Sequence, residues 1–169
     1  MYKRRQPGVP PNCTALEKAY RLLERSDYSE KGMFEKLKRL CYSEEDAAAA
    51  VAVCVRKNFV NDRRYGEILC RRYGEKYGES RVLSAMCAKG IPVELAKELI
   101  AAAKEDKAED EDEKKVLSLI SKKLRGQPLT KENKPKIYAF LVRKGYSGRQ
   151  ISAAMHTFGN DYIIEDDYE

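Results

Sequence analysis

A segment that occurs three times in the chain constrains the fold more than any other feature of the sequence. The copies span residues 34–51, 83–100 and 138–155, and their apolar columns coincide without a gap. Self-similarity of this kind indicates a repeat protein, in which one supersecondary unit buries its apolar face by stacking on the next. The fold is therefore expected to be a tandem array of small units.

Each copy predicts a helix, a tight turn and a second helix. Gly90 and Gly145 stand where the first helix must end in a left-handed turn, and Cys41 takes this place in the first copy. The second helix opens with a cap or first-turn residue: Ser43, Pro92 and Ser147. Ser147 and Gln150 also match a capping box, which favours a helix start at this point.

A further helix is predicted before each pair, because apolar residues recur at helical spacing. The leading helices carry these residues: Leu16, Ala19, Tyr20 and Leu23; Tyr65, Ile68, Leu69 and Tyr73; Leu117, Ile120 and Leu124. No stretch alternates with period two, so no sheet is expected. The predicted fold class is all-α, with three tandem three-helix repeat units forming an elongated, curved body.

These patterns divide the chain into five parts. They are a flexible N-terminal arm (1–13), three three-helix units called repeat 1 (14–60), repeat 2 (61–106) and repeat 3 (107–158), and an acidic C-terminal tail (159–169). Residues 104–113 contain no large apolar side chain, and we expect a solvated helix extension there rather than a linker. The tail can fold back onto a basic body or reach a basic patch on a partner, although a frayed solubilising terminus is the plainer interpretation.

The composition argues against several classes of protein. No stretch approaches the roughly 18 apolar residues of a membrane span, and residues 1–7 have a basic start without the apolar run of a secretion signal. The five cysteines form no Cys-x-x-Cys pair, and we expect reduced, small apolar side chains beside the core of a cytoplasmic protein. With one histidine in the chain, neither a metal site nor a cofactor is expected.

Positive charge is concentrated in residues 114–149, which hold 11 Lys and Arg against a single acid, Glu132. Such an excess of one sign favours an anionic partner over an ordinary solvated helix face. The candidate binding residues in repeat 3 are Lys114, Lys115, Lys122, Lys123, Arg125, Lys134, Lys136, Arg143, Lys144 and Arg149. A more diluted group lies in repeat 2: Arg63, Arg64, Arg71, Arg72, Lys76 and Arg81. The 11 tyrosines are interpreted as packing residues, of which a few exposed ones are able to stack on nucleotide bases.

The sequence contains no recognisable catalytic motif. It has no glycine-rich dinucleotide or phosphate loop, no nucleophile elbow and no His-Glu pair. His156 falls in the last amphipathic helix beside Met155, and we interpret it as a residue of the helix surface or core edge. We therefore predict that the protein is not an enzyme.

Several stretches resemble the RecX family of bacterial regulatory proteins. They are Leu-Glu-Arg-Ser-Asp-Tyr-Ser at 23–29, Asn-Asp-Arg-Arg-Tyr at 61–65, Gly-Glu-Ser-Arg-Val at 78–82, Lys-Gly-Ile at 89–91 and Arg-Lys-Gly-Tyr-Ser at 143–147. Each motif is weak alone, but their order and spacing together resemble the family over residues 14–158. Three departures change caps and turns: Gly32 replaces an acidic residue three after Ser29, Asn61 replaces an Asp, and Cys41 replaces a Gly.

The resemblance implies an all-helical regulator whose partner is the filament of the RecA recombinase on DNA. Proteins of this family lie along the filament groove, contact neighbouring protomers and inhibit strand exchange, ATP hydrolysis and co-protease activity. The charge pattern adds weak, sequence-tolerant contact with DNA. We expect a monomer without a membrane partner.

Two other interpretations stay open. The chain can be a helical module that binds nucleic acid directly without RecA, since three-helix units with glycine turns also resemble helix-turn-helix domains. An enzyme with an unrecognised site is the more remote alternative. Strong sequence-specific DNA binding without RecA favours the first of these, and turnover of any substrate favours the second.

The periodicity predicts a helical far-ultraviolet circular dichroism spectrum and the small-angle scattering profile of an elongated monomer. The physical reason is that each three-helix unit is too small to bury its apolar face except against a neighbour. A globular scattering profile or substantial strand content would contradict this interpretation.

Overall fold

Every regular element in the described part of the chain is an α-helix. The computed structural model describes residues 12–105 and 111–163, with side chains for all of these except 160–163. The helices are α1 (Ala15–Leu23), α2 (Glu30–Arg39), α3 (Glu44–Arg56), α4 (Asp62–Gly74), α5 (Glu79–Ala88), α6 (Val93–Glu105), α7 (Glu111–Leu124), α8 (Lys134–Lys144) and α9 (Gly148–Ile163). The prediction of an all-α repeat fold is confirmed. Residues 1–11 of the predicted arm, 106–110 of the acidic stretch and 164–169 of the predicted tail lie outside the described residues.

The described chain forms two compact units. The first unit contains the residues up to Leu69 together with Ala85–Leu99, and the second contains Cys70–Ser84 together with the residues from Ile100 onward. Helices α4, α5 and α6 therefore contribute to both units. One core cluster of the first unit consists of Ala15, Ala19, Met33, Leu37, Tyr42, Ala47, Ala50, Val51, Cys54 and Val60. A core cluster of the second consists of Val116, Ile120, Leu124, Ile137, Leu141, Tyr146, Ile151, Ala154, Met155 and Phe158.

Side-chain caps start the helices where the sequence predicted them. Ser43 precedes α3, and its Oγ accepts a hydrogen bond from Asp46 N at 3.0 Å. Before α9, Ser147 Oγ accepts from Gln150 N at 3.3 Å, and Ser147 N donates to Gln150 Oε1 at 3.0 Å. These bonds satisfy amide groups that a helix leaves without internal partners, so the predicted capping box is confirmed.

The turns between the paired helices have the predicted left-handed backbone. The φ angles of Gly90 and Gly145 are 91° and 93°, and Cys41 adopts a φ of 69° at the equivalent place in repeat 1. A residue with a Cβ is strained in this conformation by roughly 1–2 kcal/mol. The strain at Cys41 is thus the cost of replacing glycine in the first copy.

Inside the first compact unit, the turn between α5 and α6 of repeat 2 binds the start of α2 in repeat 1, through Ser29 and Lys89; we call this contact the joint. Ser29 precedes α2, and its Oγ donates to the carbonyl oxygen of Lys89 at 2.6 Å while accepting from Gly32 N at 2.9 Å. A Cβ at Gly32 would lie 2.9 Å from Ser29 Oγ and 3.1 Å from Lys89 O. Glycine at this position therefore allows the turn of repeat 2 to approach the start of α2.

The same joint recurs inside the second compact unit. Gly78 precedes α5, and its N–H donates to the carbonyl oxygen of Lys144 at 2.9 Å. Ser80 Oγ donates to the carbonyl oxygen of Gly145 at 3.0 Å. The repeat offsets make Gly78 the counterpart of Ser29, and Lys144 the counterpart of Lys89. Both joints therefore place the turn before the third helix of one repeat on the N-terminus of the second helix of the preceding repeat.

Side chains still bind the amide groups of the helix starts at two departures from the family pattern. Gly32 removes an acidic side chain from the start of α2, but Asp62 Oδ1 of α4 accepts from Glu30 N at 2.7 Å and supplies a carboxylate there. Asn61 keeps the capping function of the residue it replaces, because its Oδ1 accepts from Arg64 N at 2.9 Å.

The close packing of the second joint predicts a large effect for Gly145→Ala. The new Cβ would lie 2.5 Å from the Arg81 Cβ, in addition to the strain of a left-handed alanine. We expect it to lower the free energy of unfolding in urea by about 1–3 kcal/mol more than Gly126→Ala, following the usual cost of overpacking. Gly126 is the matched control because it has a φ of 84° but open space around its Cβ position. Equal losses in the two variants would contradict a tightly packed joint.

Candidate nucleic-acid interface

The cations predicted to bind a partner divide between the two compact units. Arg63 and Arg64 belong to the first unit. Besides Lys114 and Lys115, the second unit contains twelve of the candidates: Arg71, Arg72, Lys76, Arg81, Lys122, Lys123, Arg125, Lys134, Lys136, Arg143, Lys144 and Arg149. All of these twelve side chains are exposed except that of Lys144, which is half-buried. We refer to these twelve residues as the basic surface.

Contacts within the protein distinguish the basic surface from Arg63, Arg64 and Lys115. Arg63 pairs with Glu98 at 2.8 Å, and Arg64 Nη2 donates to the carbonyl oxygen of Phe59 at 3.2 Å. Lys115, an additional candidate beside Lys114, pairs with Glu111 at 2.7 Å. Among residues 12–105 and 111–159, by contrast, no carboxylate forms an ion pair with any member of the basic surface. Within the described residues, its positive charge is therefore not neutralised by ion pairs.

Three members of the basic surface converge on two aromatic rings. The Lys144 Nζ lies 4.9 Å from the centroid of the Tyr77 ring and 5.8 Å from that of Phe140. The Arg81 Cζ lies 5.9 Å from the Tyr77 centroid, and the Lys123 Nζ lies 5.4 Å from the Phe140 centroid. We call these five residues the ring–cation row. Its cations are attracted by the negative faces of the rings, which offsets part of their mutual repulsion.

Local structure positions the ring–cation row. Phe140 and Lys144 are four residues apart on α8, so they share one helix face. Tyr77 directly precedes Gly78, whose N–H binds the Lys144 carbonyl oxygen, and the joint thereby brings the tyrosine ring to the lysine. Arg81 follows within the first turn of α5, and Lys123 lies in the last turn of α7.

The helix dipoles explain only part of the basic surface. The partial negative charge at the C-terminal end of a helix stabilises the members of the basic surface that lie in a last turn. These are Arg71, Arg72, Lys122, Lys123, Arg143 and Lys144. Lys134, Lys136 and Arg149 lie instead in the first turns of α8 and α9, where the dipole disfavours a cation. Helices α1 to α7 all carry an acid in the first turn, whereas α8 and α9 carry none. Helix stability does not account for these three cations.

Comparison with known proteins identifies the family. A model of the first three-helix domain of RecX matches residues 15–54, and a model of the third three-helix domain of RecX matches residues 109–155. The regulatory protein RecX of Vibrio parahaemolyticus is 32% identical over 160 residues, which cover 92% of this chain and 96% of the relative. The corresponding protein of Vibrio campbellii is 31% identical over the same shares of both chains. The chain belongs to the RecX family.

A solved structure agrees with this fold. The crystal structure of RecX from Lactobacillus salivarius superposes with a TM-score of 0.72 and covers 85% of this chain and 94% of its own, at 18% sequence identity. At that identity the likeness establishes the fold alone. The predicted membership of the RecX family and the predicted helical repeat fold are thus both confirmed.

In this RecX-family chain, the starts of α3 and α6 do not favour groove reading by a helix-turn-helix, whereas α9 has no acid in its first turn. In that motif the N-terminal residues of the second paired helix contact base edges in the major groove. The corresponding helices here are α3, α6 and α9. Helix α3 begins with Glu44, Glu45 and Asp46, and α6 has Glu94 in its first turn, so both would repel phosphate. Within the described residues, the members of the basic surface lie mainly on α7, α8 and the end of α4.

The ionisable groups of this RecX-family chain show no arrangement suited to catalysis within the described residues. Burial raises the pKa of Tyr146, with Asp112 adding to the effect, and burial also raises the pKa of the Cys54 thiol. Both groups therefore stay neutral near pH 7. His156 is exposed on α9. Residues 12–105 and 111–159 contain no group of three or more His, Cys, Asp or Glu placed to hold a metal ion, and no described helix is long and apolar enough to cross a membrane.

The cysteines and the aromatic residues depart from the sequence interpretation. Cys54 and Cys70 are buried as expected, but Cys41 and Cys87 are exposed, because Cys41 lies in a turn and Cys87 faces solvent on α5. Sequence analysis did not single out Tyr77 or Phe140 as site residues. The signal available for Phe140 was its helical spacing from Lys144, whereas Tyr77 is brought to the site only by a contact between distant residues.

The dipole argument predicts opposite stability effects for two charge reversals in this RecX-family chain. Lys134→Glu places an acid in the first turn of α8, whose N-cap residue Asn133 makes no side-chain capping bond, and should raise the free energy of unfolding by about 0.3–1 kcal/mol. Lys122→Glu places an acid in the last turn of α7 and should lower it by a similar amount. Urea unfolding followed by circular dichroism measures both. Shifts of the same sign in the two variants would exclude the dipole as the cause.

Proposed function

We propose that this RecX-family regulatory protein binds the filament of the RecA recombinase on DNA and inhibits the recombinase, ATPase and co-protease activities of RecA. The observation that carries the proposal is the family relationship, which extends over 92% of the chain. The relatives in that comparison are named as regulatory proteins. Inhibition of RecA is the regulation that the resemblance implies.

The basic surface supports the proposal on physical grounds. A RecA filament on DNA presents the phosphates of the DNA, and unpaired Lys and Arg side chains bind phosphate by releasing condensed counterions. Contacts of this kind position a protein on DNA without reading its sequence. DNA binding by the chain alone is therefore weak, tolerant of sequence and steeply dependent on salt.

The tandem repeats support a regulator that makes several weak contacts. Each repeat of a helical array exposes its own surface, and a filament offers the same site many times. Once one contact has formed, the next is intramolecular and benefits from a high effective concentration. The chain acts in this way as a monomer in the cytoplasm and without chemistry of its own.

The competing function is direct action on DNA without RecA. It needs the same basic surface, but it also needs a means of selecting a DNA site. The acidic starts of α3 and α6 argue against recognition of a DNA site by these helices in the manner of a helix-turn-helix. Regulation of RecA is therefore the better supported of the two functions.

The proposal predicts that Arg71, Arg72 and Lys76, jointly changed to Glu, weaken the inhibition of RecA. The chain should slow ATP hydrolysis by RecA on single-stranded DNA, and the triple variant should need at least about tenfold more protein for half inhibition, since the loss of even one of the three charged contacts contributes about 1.5 kcal/mol. The control is the joint change of Arg21, Arg25 and Arg56 to Glu, which alters the net charge equally with exposed residues of the first unit. A chain that leaves RecA hydrolysis unchanged at saturating concentration would refute the proposed function.

A further inference from the structure

We propose that the ring–cation row is a built binding site for the phosphodiester backbone of a nucleic acid, in which Tyr77 and Phe140 position the cations of Arg81, Lys123 and Lys144. The inference rests on the proposed function, since the strand in question is the DNA of the RecA filament. It goes further by assigning the contact to five residues and by giving the two aromatic residues a positioning role.

The row is continuous, because each ring is shared by two cations. Lys144 is the central member and the only one that approaches both rings, at 4.9 Å and 5.8 Å from their centroids. Its half-buried side chain distinguishes it from the other cations of the basic surface. Removing Lys144 should therefore affect the site more than removing any cation at its edge.

The acids nearest to the row in sequence do not neutralise it. Glu79 lies between Tyr77 and Arg81, but it forms an ion pair with Lys104 of α6. Among the described residues, Glu75 forms no ion pair with the row either. Within the described residues, the three cations thus stand together without an ion-paired carboxylate, an arrangement that favours the binding of an anion.

The rings reduce the cost of binding an anion at this site. A free lysine or arginine side chain loses rotamer freedom when it grips a phosphate. Here the ring faces already restrict Lys144, Lys123 and Arg81, and the backbone joint fixes Tyr77 beside Lys144. A preorganised row should bind phosphate more tightly than the same number of cations spread over a helix surface.

The first compact unit provides an internal comparison. The positions equivalent to Tyr77, Arg81, Phe140 and Lys144 are occupied there by Tyr28, Gly32, Ala85 and Lys89. Among these four positions, one cation and one ring are therefore missing, and Tyr28 packs against the apolar core. The joint alone does not create a row, so the second unit carries additional residues that the joint does not require.

Alternating cations and rings suit a nucleic-acid strand. Its backbone offers a phosphate at regular intervals, separated by sugar and base surfaces that can lie against aromatic side chains. Single-stranded and duplex DNA share the phosphodiester chemistry, and both are probes in the test. An acidic protein surface is the alternative ligand, and it would leave binding of bare DNA unaffected by changes in the row.

The first test compares Lys144→Gln with Lys89→Gln by fluorescence anisotropy, using a labelled oligo(dT) strand and a labelled duplex without RecA. The two lysines are equivalent in the repeat, and each change removes one charge. Lys144→Gln should weaken binding to at least one of the probes about tenfold, the order expected for a buried charged contact, whereas Lys89→Gln should weaken it about twofold at most. Equal effects of the two changes on both probes would overturn the inference.

The second test keeps the net charge constant. Tyr77→Leu removes one ring of the row, and Tyr77→Phe retains it. The leucine variant should bind the affected probe about threefold more weakly than the phenylalanine variant, since the ring contribution to holding a cation is below that of a full charged contact. Circular dichroism of both variants checks that the helices are intact. Indistinguishable affinities would show that the rings do not position the cations.

Assays of RecA ATP hydrolysis with the same variants separate this inference from the proposed function. If the unaltered chain fails to inhibit RecA while Lys144→Gln selectively loses DNA affinity, the proposed function is wrong and the row is still a phosphate site. If the unaltered chain inhibits RecA but Lys144→Gln and Lys89→Gln bind DNA equally, the row is wrong and the proposed function stands. Loss of inhibition by Lys144→Gln with unchanged DNA affinity would assign the row to a protein partner and overturn the inference.

Discussion

Lys89 and Lys144 each present a backbone carbonyl oxygen to the start of a helix in the preceding repeat. Helix ends leave amide and carbonyl groups without internal partners, and burying them unpaired is costly. The joint gives hydrogen-bond partners to groups at both kinds of helix end. Carbonyl groups at the end of one helix accept from the hydroxyl of Ser29 or the amide of Gly78 at the start of another. The joint also brings the negative end of one helix dipole to the positive end of the next. The stacking of repeats within each unit depends on this contact.

The two joints achieve this geometry with different chemistry. Ser29 contributes its side-chain hydroxyl, which binds the carbonyl oxygen of Lys89. Gly78 contributes its own amide, and a Cβ there would lie 2.3 Å from Gly145 O, which only glycine permits. The closer approach in the second unit is what places Tyr77 against Lys144. The second joint therefore assembles charged side chains through this closer approach together with Arg81 and Phe140, which the first unit replaces with Gly32 and Ala85.

The sequence allowed prediction of those features that depend on neighbours along the chain. The periodicity located the helices, and Gly90, Gly145 and the Ser147–Gln150 pair marked where helices end and begin. The joint could not be predicted, since it connects Ser29 to Lys89 and Ser80 to Gly145, 60 and 65 residues apart. For the candidate site, the sequence identified the cations. It could not distinguish the ion-paired Arg63 from the members of the basic surface, because the partner of Arg63 lies 35 residues away.

Some charged residues at the helix ends agree with the helix dipoles and are favoured by folding, whereas others oppose the dipoles and need another explanation. Acids in the first turns of α1 to α7 and bases in the last turns of α4, α7 and α8 agree with the helix dipoles, and folding alone would favour them. Lys134, Lys136 and Arg149 oppose the dipoles of α8 and α9, at a cost of up to about 1 kcal/mol each. Functional sites are where local departures from the most stable arrangement are expected. These three cations lie in the same compact unit as the ring–cation row. Binding of an anion by that unit accounts for both observations, whereas optimisation of stability does not account for the three cations that oppose the helix dipoles.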